Sequence, residues 1–165
     1  GCGRRDLPFE AAELAVGAVL MGAWRNLLDR LQDKIGNIPN LTASPQPFSA
    51  AMLPETLMVP GGQQAFCVEI PSTSDVGERQ RTLASDGHTV AVSVCAAINV
   101  AGSWATSLGL VLDTEQNIRE AVLNRRDFSP YRVRWGACSR TLTPDRAHIV
   151  STLAFTVDHE SSLDV

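Results

Sequence analysis

Four stretches of the chain alternate their side chains with a period of two, and this pattern limits the fold more than any other feature. Phe66, Val68 and Ile70 share one side, with Cys67 and Glu69 on the other. Val90, Val92, Val94, Ala96 and Ile98 line a longer run. Tyr131, Val133 and Trp135 alternate with Arg132 and Arg134. Ile149, Leu153, Phe155 and Val157 alternate with Val150, Thr152, Thr156 and Asp158. Successive strand residues point to opposite faces, so these runs predict antiparallel sheet with one polar face.

Two helices frame the strands. Over residues 9–35, Leu14, Val16, Val19, Leu20, Trp24, Leu27, Leu28, Leu31 and Ile35 recur mainly at steps of three and four, the period of an apolar helical stripe. Pro8 suits the first turn and Gly36 the stop. The first half of this helix is small and apolar nearly all round, which suits close approach to the protein's own sheet or to a neighbouring subunit. A second helix is expected over 104–124, with Ser103 as N-cap and Leu108, Val111, Leu112, Ile118 and Val122 as its stripe. Arg125 and Arg126 would close it and complement its dipole.

Between the first helix and the first strand, residues 36–63 hold Pro39, Pro45, Pro47, Pro54 and Pro60. These forbid a regular helix or an inner strand there. Met52, Leu53, Leu57 and Met58 predict that this connector packs down. Residues 71–87 read as a polar hairpin arm, Asp86-Gly87-His88 as a turn entering a strand, and Thr143-Pro144-Asp145 as a second turn. The expected fold class is α+β in a single domain over residues 1–165. An antiparallel β-sheet carries a long N-terminal helix and a second helix packed on one face, with the polar arm between the first two strands and residues 161–165 as a tail.

Composition narrows the function classes. At 165 residues the chain can bury a proper core. Its formal net charge of −4 argues against a general nucleic-acid binder. Only 19% of residues are charged, which favours a subunit with covered surface. The run from Leu14 to Trp24 is too short to span a bilayer. Read as a buried helix rather than a signal peptide, it predicts a cytoplasmic protein. Cys2, Cys67, Cys95 and Cys138 are far apart, which disfavours a zinc site. Cys67 and Cys95 read as buried free thiols, with a disulfide between them left open.

Neither a phosphate-binding glycine loop nor a GxSxG elbow is present. His88, His148 and His159 lack ligand-spaced partners in sequence. Asp158-His159-Glu160 could ligate a metal, but its position predicts a solvated strand end. The expectation is a chain that is not an enzyme and has no catalytic, cofactor or metal site. The positive charge is almost all arginine, with Lys34 the single lysine. Arginine forms bidentate pairs with carboxylates and suits interfaces. The candidate interface or channel residues are Glu69, Asp75, Glu78, Arg79, Arg81, Asp86, Arg125, Arg126, Arg132 and Arg134.

The element order resembles the tail terminator (tail completion) proteins of long-tailed bacteriophages. Phe66–Ile70 is similar to their first central strand, Glu78–Gly87 to the polar segment after it, and Thr89–Ile98 to their long second strand. Thr106–Leu123 resembles the crossing helix and Ala147–Glu160 the closing strand. The likeness covers residues 10–160 as a pattern of elements. The long proline-rich connector and the very apolar leading helix depart from it. The resemblance implies a homo-oligomeric ring, with a hexamer favoured, that caps the tail tube, ends its polymerisation and joins tail to head. Its implied partners are the tail tube protein, a sheath in contractile tails, and head-proximal neck proteins. DNA would pass through the channel without sequence-specific binding, no membrane would be involved, and the protein would reside in the virion after assembly in the host cytoplasm. Adaptor, stopper or connector rings fit the same pattern. The competing readings are a non-phage binding module that uses sheet-edge strand addition, and a small hydrolase or metal-dependent enzyme that uses His148 or His159.

Overall fold

The computed structural model describes residues 22–57, 59, 63–75, 83–98 and 101–162. The expectations for residues 9–21 of the leading helix, for Met58, for the tip of the arm and for Cys2 lie outside these residues. The described elements are helix α1 (Gly22–Gly36), strands β1 (Leu41–Ala43), β2 (Gln64–Asp75) and β3 (Leu83–Ala97), helices α2 (Trp104–Val122) and α3 (Arg125–Phe128), and strands β4 (Arg132–Leu142) and β5 (His148–Ser162). The fold is α+β, with a five-stranded mixed sheet in the order β1-β2-β3-β5-β4.

Two long strands organise the sheet. β3 pairs antiparallel with β5 without interruption from Leu83↔Ser162 to Ala97↔His148. β2 and β4 flank this pair, both antiparallel to their neighbours. β1 adds three residues parallel to the start of β2. It lies in the proline-rich connector, where only a short edge strand is tolerated. The arm is less loop-like than the sequence suggests, because β2 and β3 continue through it. Ser72 to Asp75 pair with Thr89 to Asp86. Asp86-Gly87-His88 is therefore strand, not turn. Its polar residues form ladder pairs once the long partner strand is in place. Pro71 sits at the register shift between Glu69 and Ser72, where a missing N–H interrupts no regular pairing.

Parity along the strands assigns the faces. Phe66 and Val68, Val90, Val92 and Val94, Leu153, Phe155 and Val157, and Val133 and Trp135 face the helices. Leu27, Leu31 and Ile35 of α1 recur at i, i+4 and i+8 and are fully buried against this face, as are Ile118 and Val122 of α2. Each such side chain contributes about 1.5–3 kcal/mol of transfer free energy. Ser103 caps α2, its side chain accepting from the Thr106 N–H at 3.2 Å. Two stripe members behave otherwise. Trp24 and Leu112 are 53% and 41% exposed, because each lies about one helical position off the buried line. Arg125 and Arg126 do not close α2. It ends at Val122, and they open α3 behind the Asn124 N-cap.

The connector covers one end of the opposite face. Phe48, Ala50, Leu53, Leu57 and Val59 pack over Ala65, Cys67, Cys95 and Val150. Met52 does not join them and is exposed. It lies in the turn closed by the Ser49–Met52 backbone bonds. Cys67 and Cys95 are buried free thiols. Beyond the β4 turn, Asp145 Oδ1 accepts from the Thr143 hydroxyl at 2.6 Å and from the Ala147 N–H at 3.0 Å. These bonds, the Thr143 one foremost, hold the Asp145 carboxyl below its ordinary range.

β4 bends against β5 at a register shift between Trp135 and Ala137. A Cβ on Gly136 would stand 2.8 Å from the Ala154 carbonyl oxygen, closer than packed atoms tolerate. Gly136→Ala is expected to destabilise the protein by about 1–3 kcal/mol through this overpacking, read as a lower urea midpoint with an unchanged slope.

Candidate functional site

Three polar assemblies stand out from the apolar framework. The first lies at the base of the arm. His88 on β3 and His159 on β5 face each other with their Nε2 atoms 2.8 Å apart, their rings stacked with centroids 5.0 Å apart. Such a contact needs one N–H and one lone pair, so only one of the two Nε2 atoms carries a proton. His88 Nδ1 bonds the Thr73 hydroxyl at 2.8 Å. Trp24 of α1 meets the His88 ring edge-on, and Tyr131 meets His159 in the same way. Trp24 Nε1 donates to Asp86 Oδ2 at 3.1 Å. The Tyr131 hydroxyl donates to the Ala23 carbonyl and accepts from Asn26 Nδ2 at 3.2 Å, and the Arg30 guanidinium lies over the Tyr131 ring. The arm, the last strand and the start of α1 are thus joined through two imidazoles.

This overturns the expectation of isolated histidines and a solvated strand end. His88 and His159 are only 2% and 4% exposed, because β5 runs on to Ser162 beside β3. The signal was available: His88 has the parity of Val90 and Val92, and His159 that of Val157. Burial, followed by the neighbouring His159, holds His88 below its ordinary 6.5, against the opposing influence of Asp86 and Asp158.

The second assembly lies between α2 and β4. The Glu115 side chain is 6% exposed. It accepts from Arg140 Nε at 2.7 and 2.6 Å on its two oxygens and from the Cys138 thiol at 2.9 Å. Ser151 Oγ lies 3.3 Å from the same sulfur. Glu115, Cys138 and Arg140 line an open groove of about 530 Å³, together with Arg119, whose guanidinium covers the Trp135 ring. Burial and then the Glu115 carboxylate push the Cys138 thiol up, burial raises Cys67, and burial takes Cys95 to about 11. All three thiols are therefore protonated at neutral pH, not poised as nucleophiles. Sequence reasoning missed Glu115, a charged residue on an apolar stripe, because its partner comes from a distant strand.

The third assembly is a groove of about 840 Å³ where α2 ends and α3 and β4 begin, lined by Arg125, Arg132, Arg134, Tyr131 and Asp158 among others. Arg134 is ion-paired with Asp158. Asp127 of α3 is held by Lys34 of α1 at 2.9 Å. The structure brings three of the sequence-selected arginines together here. Arg126 is exposed on α3 outside the groove lining. Glu69 and Asp75 are exposed on β2, beyond β3 and β5 from the groove, and Asp86 is half-buried against Trp24. Glu78, Arg79 and Arg81 lie outside the described residues.

No three His, Cys, Asp or Glu side chains among the described residues are arranged to hold a metal ion, and no helix there is long and apolar enough to cross a membrane. No protein-family model matches the chain, and no curated protein matches it.

Two outcomes are expected. A histidine depressed in the folded state binds its proton more readily when unfolded. Stability is therefore complete above about pH 6.5 and falls as the pH drops from there toward the lowered value. Urea titrations at successive pH values will show this fall in the wild type and a flatter profile in His88→Gln/His159→Gln. Arg140→Ala strands the buried Glu115 carboxylate. The loss is expected to be about 2–3 kcal/mol, below that of a fully enclosed pair because the guanidinium is 39% exposed.

Proposed function

We propose that this protein is a structural subunit of a phage tail or neck ring, of the tail terminator kind, that caps the tail tube and joins tail to head. The observation that carries the reading is the distribution of unpaired surface around the sheet. Among the described residues both long helices lie on one face, and the polar face opposite is uncovered beyond the patch under the connector. Among the described residues β4 has a ladder partner only on its β5 side, and β2 has an outer partner only over Gln64–Phe66. Unpaired strand edges are templates for association, and two different edges on one subunit suit a heterologous contact that closes into a ring.

Further support comes from the elements themselves. A leading helix, two long strands joined through an arm, a crossing helix and a closing strand follow the order that suggested the family. Trp24, Trp104, Leu110 and Leu112 are large apolar side chains left exposed on the two helices, as expected of surface that neighbours cover. Adaptor, stopper and connector rings share these features. The unpaired β4 edge also favours a second reading, a binding module that captures an extended peptide by strand addition.

Solution mass and negative-stain images of the same sample test the proposal. The expected result is a ring of about six subunits with a central hole, formed alone or on tail-tube protein. A chain that remains monomeric at high concentration and ignores tail-tube and neck proteins rejects it. A monomer that binds one peptide partner with simple stoichiometry favours the strand-addition module.

A further inference from the structure

We propose that copies of this chain join edge to edge, the Glu69 side of β2 in one copy meeting the Arg132–Arg134 side of β4 in the next. This deepens the ring reading and rests on it. The first support is strand direction. β2, β3, β5 and β4 alternate up and down across the sheet. A β2 placed outside β4 of a neighbour, in the same sense as its own sheet, is therefore antiparallel to it, and antiparallel pairing is the more stable kind.

Charge is the second support. Glu69 is exposed, on the cross-strand row Glu69–Ala91–Ala154–Ala137 of the helix-free face. Arg134 and Arg132 occupy the following rows of that face, opposite Thr156 and Asp158. Acid and base thus sit on the same face at opposite edges. Continuing the sheet from one copy to the next brings them together. A stagger of two to four residues along the strands, about 7–14 Å, sets Glu69 beside Arg134 or Arg132 and leaves both on their own face. Arg134 already has Asp158, whereas Arg125 and Arg132 have no carboxylate partner among the described residues, so the arginine groove has unmatched positive charge to offer. The chain's net charge of −4 disfavours nucleic acid as the partner.

Pro71 explains why side chains rather than backbone would set the register. It has no N–H to donate and falls at the bulge of β2. A ladder there cannot run unbroken, and the ion pairs select among the possible staggers.

Glu69→Arg, Arg132→Glu and the combined Glu69→Arg/Arg132→Glu chain are compared with the wild type by sedimentation at low salt, with thermal unfolding as the control for folding. Each single reversal is expected to weaken self-association about tenfold, and the combined swap to restore it to within about threefold. The two single variants mixed should co-assemble in alternation more tightly than either assembles alone, because arginine then meets glutamate at every contact. Wild-type rings indifferent to all three variants overturn this interface and leave the ring reading standing. A wild type that never self-associates, alone or on tail-tube protein, overturns both.

Discussion

The long antiparallel pairing of β3 with β5 is the constraint on which the rest of the structure depends. Fifteen residues of each strand run side by side without a bulge, so parity cannot change along them. Once Val92 and Leu153 face inward, so do Val90, Val94, Phe155 and Val157, and further along so do His88 and His159. One face then demands a cover, which α1 and α2 supply with Leu27, Leu31, Ile35, Ile118 and Val122. The bulges in β2 and β4 fall on the outer strands, where a change of phase disturbs only the flank of the sheet.

The same rigid parity carries polar groups into covered positions. A buried polar group is tolerated when its hydrogen bonds are made. The two histidines satisfy each other, Thr73 takes the second nitrogen of His88, and aromatic rings close the sides. Glu115 is held by Arg140 and Cys138 from β4. Both assemblies tie a helix to the sheet across long sequence separations. Each does so through directional hydrogen bonds in addition to apolar packing.

Among the described residues, the arrangement leaves a sheet with one face covered by helices, one covered only in part by the connector, and two unlike edges. Arginines gather at the β4 edge and Glu69 and Asp75 lie along β2. Glu69 and Asp75 thus lie on the opposite side of the sheet from Arg132 and Arg134.

Much of the architecture was legible beforehand because it rests on local periodicity. Steps of three and four near Leu27 and Val111 mark helices, alternation from Val90 to Ile98 marks a strand, and Ser103 marks a helix start, all without knowledge of neighbours. Strand order, the length of the arm strands and the fate of isolated polar residues depend on partners far along the chain. His159 reads as a solvated end until β3 is beside it, and Glu115 reads as a surface charge until Arg140 arrives from β4. Trp24 and Leu112 read as core until the helix axis is placed. The sequence by itself determined which segments are helix and strand and which strand positions share a face, because backbone geometry imposes those periods. Only the tertiary structure decided which strands adjoin, which edges stay open and which charges meet, because these follow from long-range packing.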